Sequence, residues 1–154
     1  MTSFKTNFLA NALLNQLFGQ TLYTPPTTLY FGLFTAAPTV LGTDGTEVSG
    51  NNYARASLLN SAANWNVASS PATAPNTTPA LVTNVADITM ATPTGTGWGA
   101  IVAVGIFDAH TAGNCLYVVT FTNPITVGVG VIVKWKGSTS IGGGAPGNLS
   151  IAEA

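Results

Sequence analysis

After residue 20, apolar, β-branched and aromatic residues come in short runs, each cut off by glycine, proline or asparagine. This punctuation constrains the fold more than any other feature. It suits a succession of short strands joined by turns and leaves no uninterrupted stretch for a long helix. In Thr28–Thr35, Leu29, Phe31 and Leu33 alternate with Tyr30, Gly32 and Phe34. Both sets are apolar, as in a strand covered on both faces. Pro25-Pro26 fixes an extended lead-in, and 36–52 reads as an exposed loop rich in Gly and Asn.

Further strands are predicted over Tyr53–Leu59, Trp65–Val67, Leu81–Met90, Trp98–Asp108, Cys115–Thr122, Pro124–Val127 and Val129–Lys136. Gly113-Asn114 marks a hairpin turn. Ser69–Pro79, with proline at every fourth position, reads as an extended surface loop. The sum is a mainly β chain, an antiparallel β-sandwich of jelly-roll-like form with one N-terminal α-helix. The expected organisation is an N-terminal helix over 1–20, a β-sandwich domain over 21–137, and a Gly-rich C-terminal segment over 138–154.

The helix is predicted over Ser3–Phe18. Asn7, Asn11 and Asn15 form one polar stripe, while Phe4, Phe8, Leu9, Leu13, Leu14, Leu17 and Phe18 cover most of the remaining girth. Thr2 or Ser3 can cap its start, and Gly19 can end it in a left-handed turn. So apolar a helix should be buried on more than one side, either plugging its own domain or packing against a neighbouring subunit.

Only nine residues carry charge: Lys5, Arg55, Lys134 and Lys136 against Asp44, Glu47, Asp87, Asp108 and Glu153. That is 6% of the chain, against roughly 25% in an ordinary soluble domain. Without a basic cluster, binding to nucleic acid through phosphates is not expected. The mean hydropathy is +0.37, yet proline, threonine and asparagine interrupt the uncharged stretches 56–86 and 88–107, so no membrane-spanning helix is expected. The N-terminus has none of the contiguous apolar core of a signal peptide. One cysteine excludes a disulfide framework within the chain.

The same scarcity removes most catalytic options, and neither an enzyme nor a cofactor is expected. The single histidine, His110, stands two residues after Asp108 in a turn, and Cys115 opens a strand. One His and one Cys are too few for a zinc site. Asp44 and Glu47 are the only close acidic pair, a weak calcium contact at most. Gly142-x-Gly144-x-x-Gly147 has the spacing of a dinucleotide fingerprint but contains Pro146 and leads into no helix. Trp65, Trp98 and Trp135 are candidates for stacking on a sugar, although their apolar neighbours favour packing. A surface so poor in charge suits a protein packed against copies of itself. The residues placed at such an interface are Phe4, Phe8, Leu9, Leu13 and Leu17 of the helix, with Leu149 and Ile151 of the C-terminal segment.

One run, Thr24-Pro-Pro-Thr-Thr-Leu-Tyr-Phe-Gly-Leu-Phe-Thr-Ala-Ala-Pro38, is followed in order by Gly50-Asn-Asn-Tyr-Ala-Arg55, Trp98-Gly99, Gly105-Ile-Phe-Asp108 and Gly113-Asn-Cys-Leu116. This series resembles a family of small virion proteins of tailed bacteriophages, described as tail-fibre-like or minor structural proteins. The resemblance covers roughly residues 3–136. It implies a non-enzymatic β-sandwich component of the virion, synthesised in the host cytoplasm. Two placements follow. A capsid decoration (cement) protein would sit on the head as a homotrimer in contact with the major capsid protein. A tail or fibre component would instead contact other tail proteins and the host surface. The small chain, without coiled-coil heptads or shaft repeats, favours decoration. A carbohydrate-binding module is the remaining alternative.

Overall fold

A computed structural model of the chain describes residues 2–67, 81–137 and 150–152. In chain order its elements are β1 (Thr2–Lys5), α1 (Asn7–Leu17), β2 (Thr28–Ala36), β3 (Thr46–Glu47), β4 (Ala56–Leu59), β5 (Trp65–Val67), β6 (Leu81–Asn84), β7 (Ile88–Thr89), β8 (Gly99–Phe107), β9 (Cys115–Val127), β10 (Lys134–Trp135) and β11 (Ser150–Ala152). The fold is mainly β with one helix, as predicted, and every strand pairing is antiparallel.

The main sheet runs β1-β9-β8-β2, and both β3 and β4 pair along the outer side of β2. Two small sheets, β10-β7 and β11-β6-β5, complete the structure. Phe31 and Leu33 of β2, Ile101, Val104 and Ile106 of β8, and Val119 and Val127 of β9 pack with Ile88, Met90 and Trp135 of the smaller layer. The result is sandwich-like with unequal layers. Each such side chain, taken from water, stabilises the fold by about 1.5–3 kcal/mol. The other face of the main sheet has its own apolar cluster of Phe34, Ala103, Phe107, Cys115 and Val118. The alternation in Thr28–Thr35 is therefore accounted for, since β2 is buried on both faces.

Gly32 and Gly105 stand opposite each other in the β2–β8 register. Their missing side chains leave room on the second face for Phe34 and Phe107, whose rings stack with centroids 6.0 Å apart. A Cβ on Gly105 would lie 2.6 Å from Phe34 Cε2 and 2.9 Å from Phe107 Cε2.

The helix begins at Asn7, not Ser3. Thr2–Lys5 pairs with β9 from Thr2↔Thr120 to Lys5↔Tyr117, so its backbone groups are satisfied by a distant strand rather than by a first helical turn. Neither Thr2 nor Ser3 is the cap. That position falls to the fully buried Thr6, whose hydroxyl donates to the carbonyls of Cys115 (2.6 Å) and Leu116 (3.2 Å). At the other end Gly19 does adopt a left-handed conformation, φ +68°. Gln20 N–H donates to Asn15 O (2.8 Å) and Gly19 N–H to Gln16 O (3.2 Å), closing the helix as a Schellman turn.

Three further boundaries differ from the predicted ones. The run 81–90 breaks around Val85–Asp87, where the Asp87 carboxylate accepts from Gly137 N–H (2.7 Å) and pairs with Lys134 Nζ (2.5 Å). β9 continues through Pro124. Its register against β8 jumps from Ala103↔Thr120 to Ile101↔Ile125, so Phe121–Pro124 stand opposite Val102 alone, and the proline sits in a bulge. Of Val129–Lys136 only Lys134–Trp135 pairs as a strand, because the chain turns at Gly130, φ +75°. The loop 69–79 and the glycine-rich residues 142–147 lie outside the described residues.

Substituting Gly105→Ala should lower stability by about 1–3 kcal/mol through overpacking, read from the urea midpoint; an unchanged midpoint would show that the rings yield freely. The Asp87 carboxyl is held below its ordinary value, first by Lys134 and then by Gly137 N–H. Its contribution is therefore present above the unfolded pKa of about 3.9 and lost as pH falls through the lower folded value. Asp87→Asn should flatten the acid limb of a plot of urea midpoint against pH.

Candidate functional site

The residues that carry the resemblance converge on one network. Arg55, the only arginine, has a side chain 8% exposed. Its Nε and Nη2 donate to Glu47 Oε1 (2.8 Å) and Oε2 (2.7 Å), a two-pronged ion pair. Nη1 donates to the carbonyls of Ala109 and Ala112, both at 2.8 Å, in the loop between β8 and β9. The guanidinium carbon lies 3.4 Å from the centroid of the Phe107 ring, a cation–π contact. Tyr53 completes the network: its hydroxyl donates to Glu47 Oε1 (2.8 Å) and accepts from Leu33 N–H (2.7 Å). Burial, then the facing Glu47 charge, raises the phenol well above its usual value, so it stays a donor.

The preceding Gly50-Asn51-Asn52 holds a second loop. All three residues have positive φ (73°, 51° and 64°), a conformation that glycine and asparagine tolerate best. Asn51 Nδ2 donates to Gly97 O (2.8 Å) and Thr96 Oγ1 (3.1 Å), and Asn51 O accepts from Thr94 N–H (3.0 Å) and Trp98 Nε1 (3.1 Å). Asn52 Nδ2 donates to Thr92 O (3.0 Å). The motif thus ties 92–98 to the body of the sheet.

The residues weighed for chemistry are engaged elsewhere. Both Glu47 oxygens face Arg55, while the Asp44 carboxylate accepts from Thr39 N–H (2.8 Å) and Thr39 Oγ1 (2.7 Å), so the pair does not converge on a cation. Among the described residues no His, Cys, Asp or Glu cluster could hold a metal, and no helix is long and apolar enough to cross a membrane. The Asp108 carboxylate accepts from Asn114 N–H (2.7 Å) and Nδ2 (2.8 Å), shaping the hairpin turn, and His110 meets the Tyr30 ring edge-on at 5.7 Å. Cys115 is buried, and burial pushes its thiol up to about 12. Trp98 and Trp135 belong to the core. Trp65 is half-buried and lines an apolar cleft of about 500 Å³ with Leu9, Tyr23, Pro25, Leu29 and Tyr117.

The residues predicted to form an interface separate into three groups. Leu9 is buried in its own chain, and Phe4 is half-buried against the Phe34–Phe107 cluster. Both serve the fold: Phe4 because it lies on a strand rather than the helix, Leu9 because it anchors the helix to the sheet. Phe8, Leu13 and Leu17 are exposed, joined by Leu14, Phe18 and, beyond the helix, Leu22. Among the described residues the helix is therefore covered on one side only. Leu149 lies outside the described residues. The backbone of Ile151 pairs with Val82 of the same chain, so Ser150–Ala152 is a third strand of a small sheet.

Arg55→Ala should cost about 3 kcal/mol, because it leaves the Glu47 carboxylate and two loop carbonyls without their donor. Arg55→Lys should recover only part of the loss, since an ammonium cannot make the two-pronged contact. Chemical unfolding of the three proteins checks both; equal midpoints would remove the network from its structural role.

Comparison with protein families matches residues 5–139 to Gp80, described as podophage GP4 fiber I protein gp80. Comparison with curated proteins gives no match. The matched range includes the Arg55 network, the asparagine clamp and the strands that carry them. The chain accordingly belongs to the Gp80 family of podophage fiber proteins and is a tail-fibre-like structural protein of the phage virion.

Proposed function

We propose that the chain is a non-enzymatic structural subunit of the phage tail fibre rather than a decoration protein of the head. The observation that carries this reading is the match over residues 5–139 to a family described as a fiber protein. Chain length and the lack of heptads, which favour the head on sequence grounds, are equally compatible with a fibre assembled from globular subunits. The side-chain chemistry agrees with a structural role. The buried and half-buried polar groups of the Arg55 network hydrogen-bond to backbone or to one another, fixing loops instead of presenting a reactive group.

Location on the particle tests the reading. Gold-labelled antibody against the protein, applied to purified virions, should mark the tail, with a few copies per particle by quantitative mass spectrometry. Label spread over the head with copies in the hundreds would overturn the fibre placement and restore decoration.

A further inference from the structure

Along one stripe of α1, at positions i, i+4 and i+8, exposure rises from 6% at Leu9 to 42% at Leu13 and 75% at Leu17. The helix is anchored at its start and stands clear of the body at its end. Leu14 (51%) and Phe18 (71%) flank the stripe, whereas Leu22 (77%) and Phe8 (41%) lie beyond the asparagines, around a shallow hollow with Asn11 and Asn15. Such an apolar stripe is normally the face by which a helix is held. Here half of it has nothing to hold among the described residues.

Leu13, Leu14, Leu17 and Phe18, which share one side of the helix, present about 450 Å² of apolar surface, taking somewhat under 200 Å² for each if fully exposed. That lies in the upper part of the roughly 300–600 Å² of the largest patch on a typical monomer, a size that is often functional. It is more than half of the roughly 800 Å² that each partner contributes to a stable interface of standard size, the rest of which is a polar rim. No charged residue occurs from Thr6 to Thr43. The patch therefore carries no charge to repel a copy of itself and none to select an oppositely charged partner. Asn7, Asn11 and Asn15 lie along the helix beside it as uncharged hydrogen-bonding groups.

We propose that the occupant is a second copy of this chain, the α1 helices of neighbouring subunits packing on one another through Leu13, Leu14, Leu17 and Phe18. Equivalent patches meeting about a symmetry axis satisfy each other without a separate receptor surface. Ridges of leucine side chains allow two helices to approach to about 8–10 Å. The contact deepens the structural reading above but does not depend on whether the protein sits on the tail or the head.

The test uses the purified full chain, so its outcome is independent of virion location. Light scattering at micromolar concentration should give a mass at least twice the 15.6 kDa of the chain. Leu17→Glu should reduce it to that of a monomer with an unchanged circular dichroism spectrum, because Leu17 makes little contact within its own subunit. Leu17→Cys, oxidised mildly, should give a disulfide-linked dimer within minutes, since a contact between equivalent helices brings position 17 near its counterpart. The native Cys115 is buried and does not compete. Ile132→Cys, at a position 56% exposed on another surface, is the control. A monomeric wild type, an oligomer indifferent to Leu17→Glu, or Ile132→Cys crosslinking as fast as Leu17→Cys would each overturn the proposal.

Discussion

Arg55 is a full charge taken almost wholly out of water, and the second face of the main sheet is arranged around it. Such a group is tolerated only when its donors are met. Here one carboxylate, two loop carbonyls and an aromatic ring meet it from two separate parts of the chain, Glu47 and residues 107–112. The consequence reaches well beyond the ion pair. Glu47 fixes β3 against β2, Tyr53 ties the same carboxylate to the β2 backbone, and the two carbonyls hold the turn that sets the β8–β9 hairpin. The facing Gly32 and Gly105 belong to the same arrangement, because a side chain at Gly32 would enter the Glu47 carboxylate and the Phe107 ring.

Spending the few charges in this way leaves the surface to be kept in water by hydroxyl and amide groups. Asn51, Asn52, Asn60, Asn64 and Asn84 all donate to backbone carbonyls, work that in many domains is left to regular secondary structure. The chain has many loops, and amide side chains hold them. This explains how a sheet with so many short strands keeps a defined shape.

The strands buried on both faces were legible in the sequence. Thr28–Ala36 and Gly99–Phe107 are short apolar runs at both sets of alternate positions, bounded by turn residues, and Gly113-Asn114 announces the hairpin that joins β8 to β9. What was not legible depends on distant partners. Thr2–Lys5 shares the helical spacing of Phe4 and Phe8, and only Tyr117–Thr120 turns it into a strand. The Arg55 network joins residues eight apart to others more than fifty positions away, and no local pattern marks such a junction. Its one signal was the grouping of Gly50–Arg55, Gly105–Asp108 and Gly113–Leu116 in the resemblance, where residues of unlike chemistry recur together. The half-exposed helix left two alternatives open in the sequence for a related reason. Periodicity shows that a helix has an apolar face, but not whether its own chain supplies the cover.

The pairing of β1 with β9 has a temporal meaning. Thr6 reaches Cys115 across a sequence separation of 109 residues. A ribosome therefore releases the first strand and the apolar helix long before their partner exists. Closing so long a loop is slow and entropically costly. Throughout that interval Leu9 lacks the sheet it later packs against, and the helix waits as an apolar segment for the last third of the domain to be made.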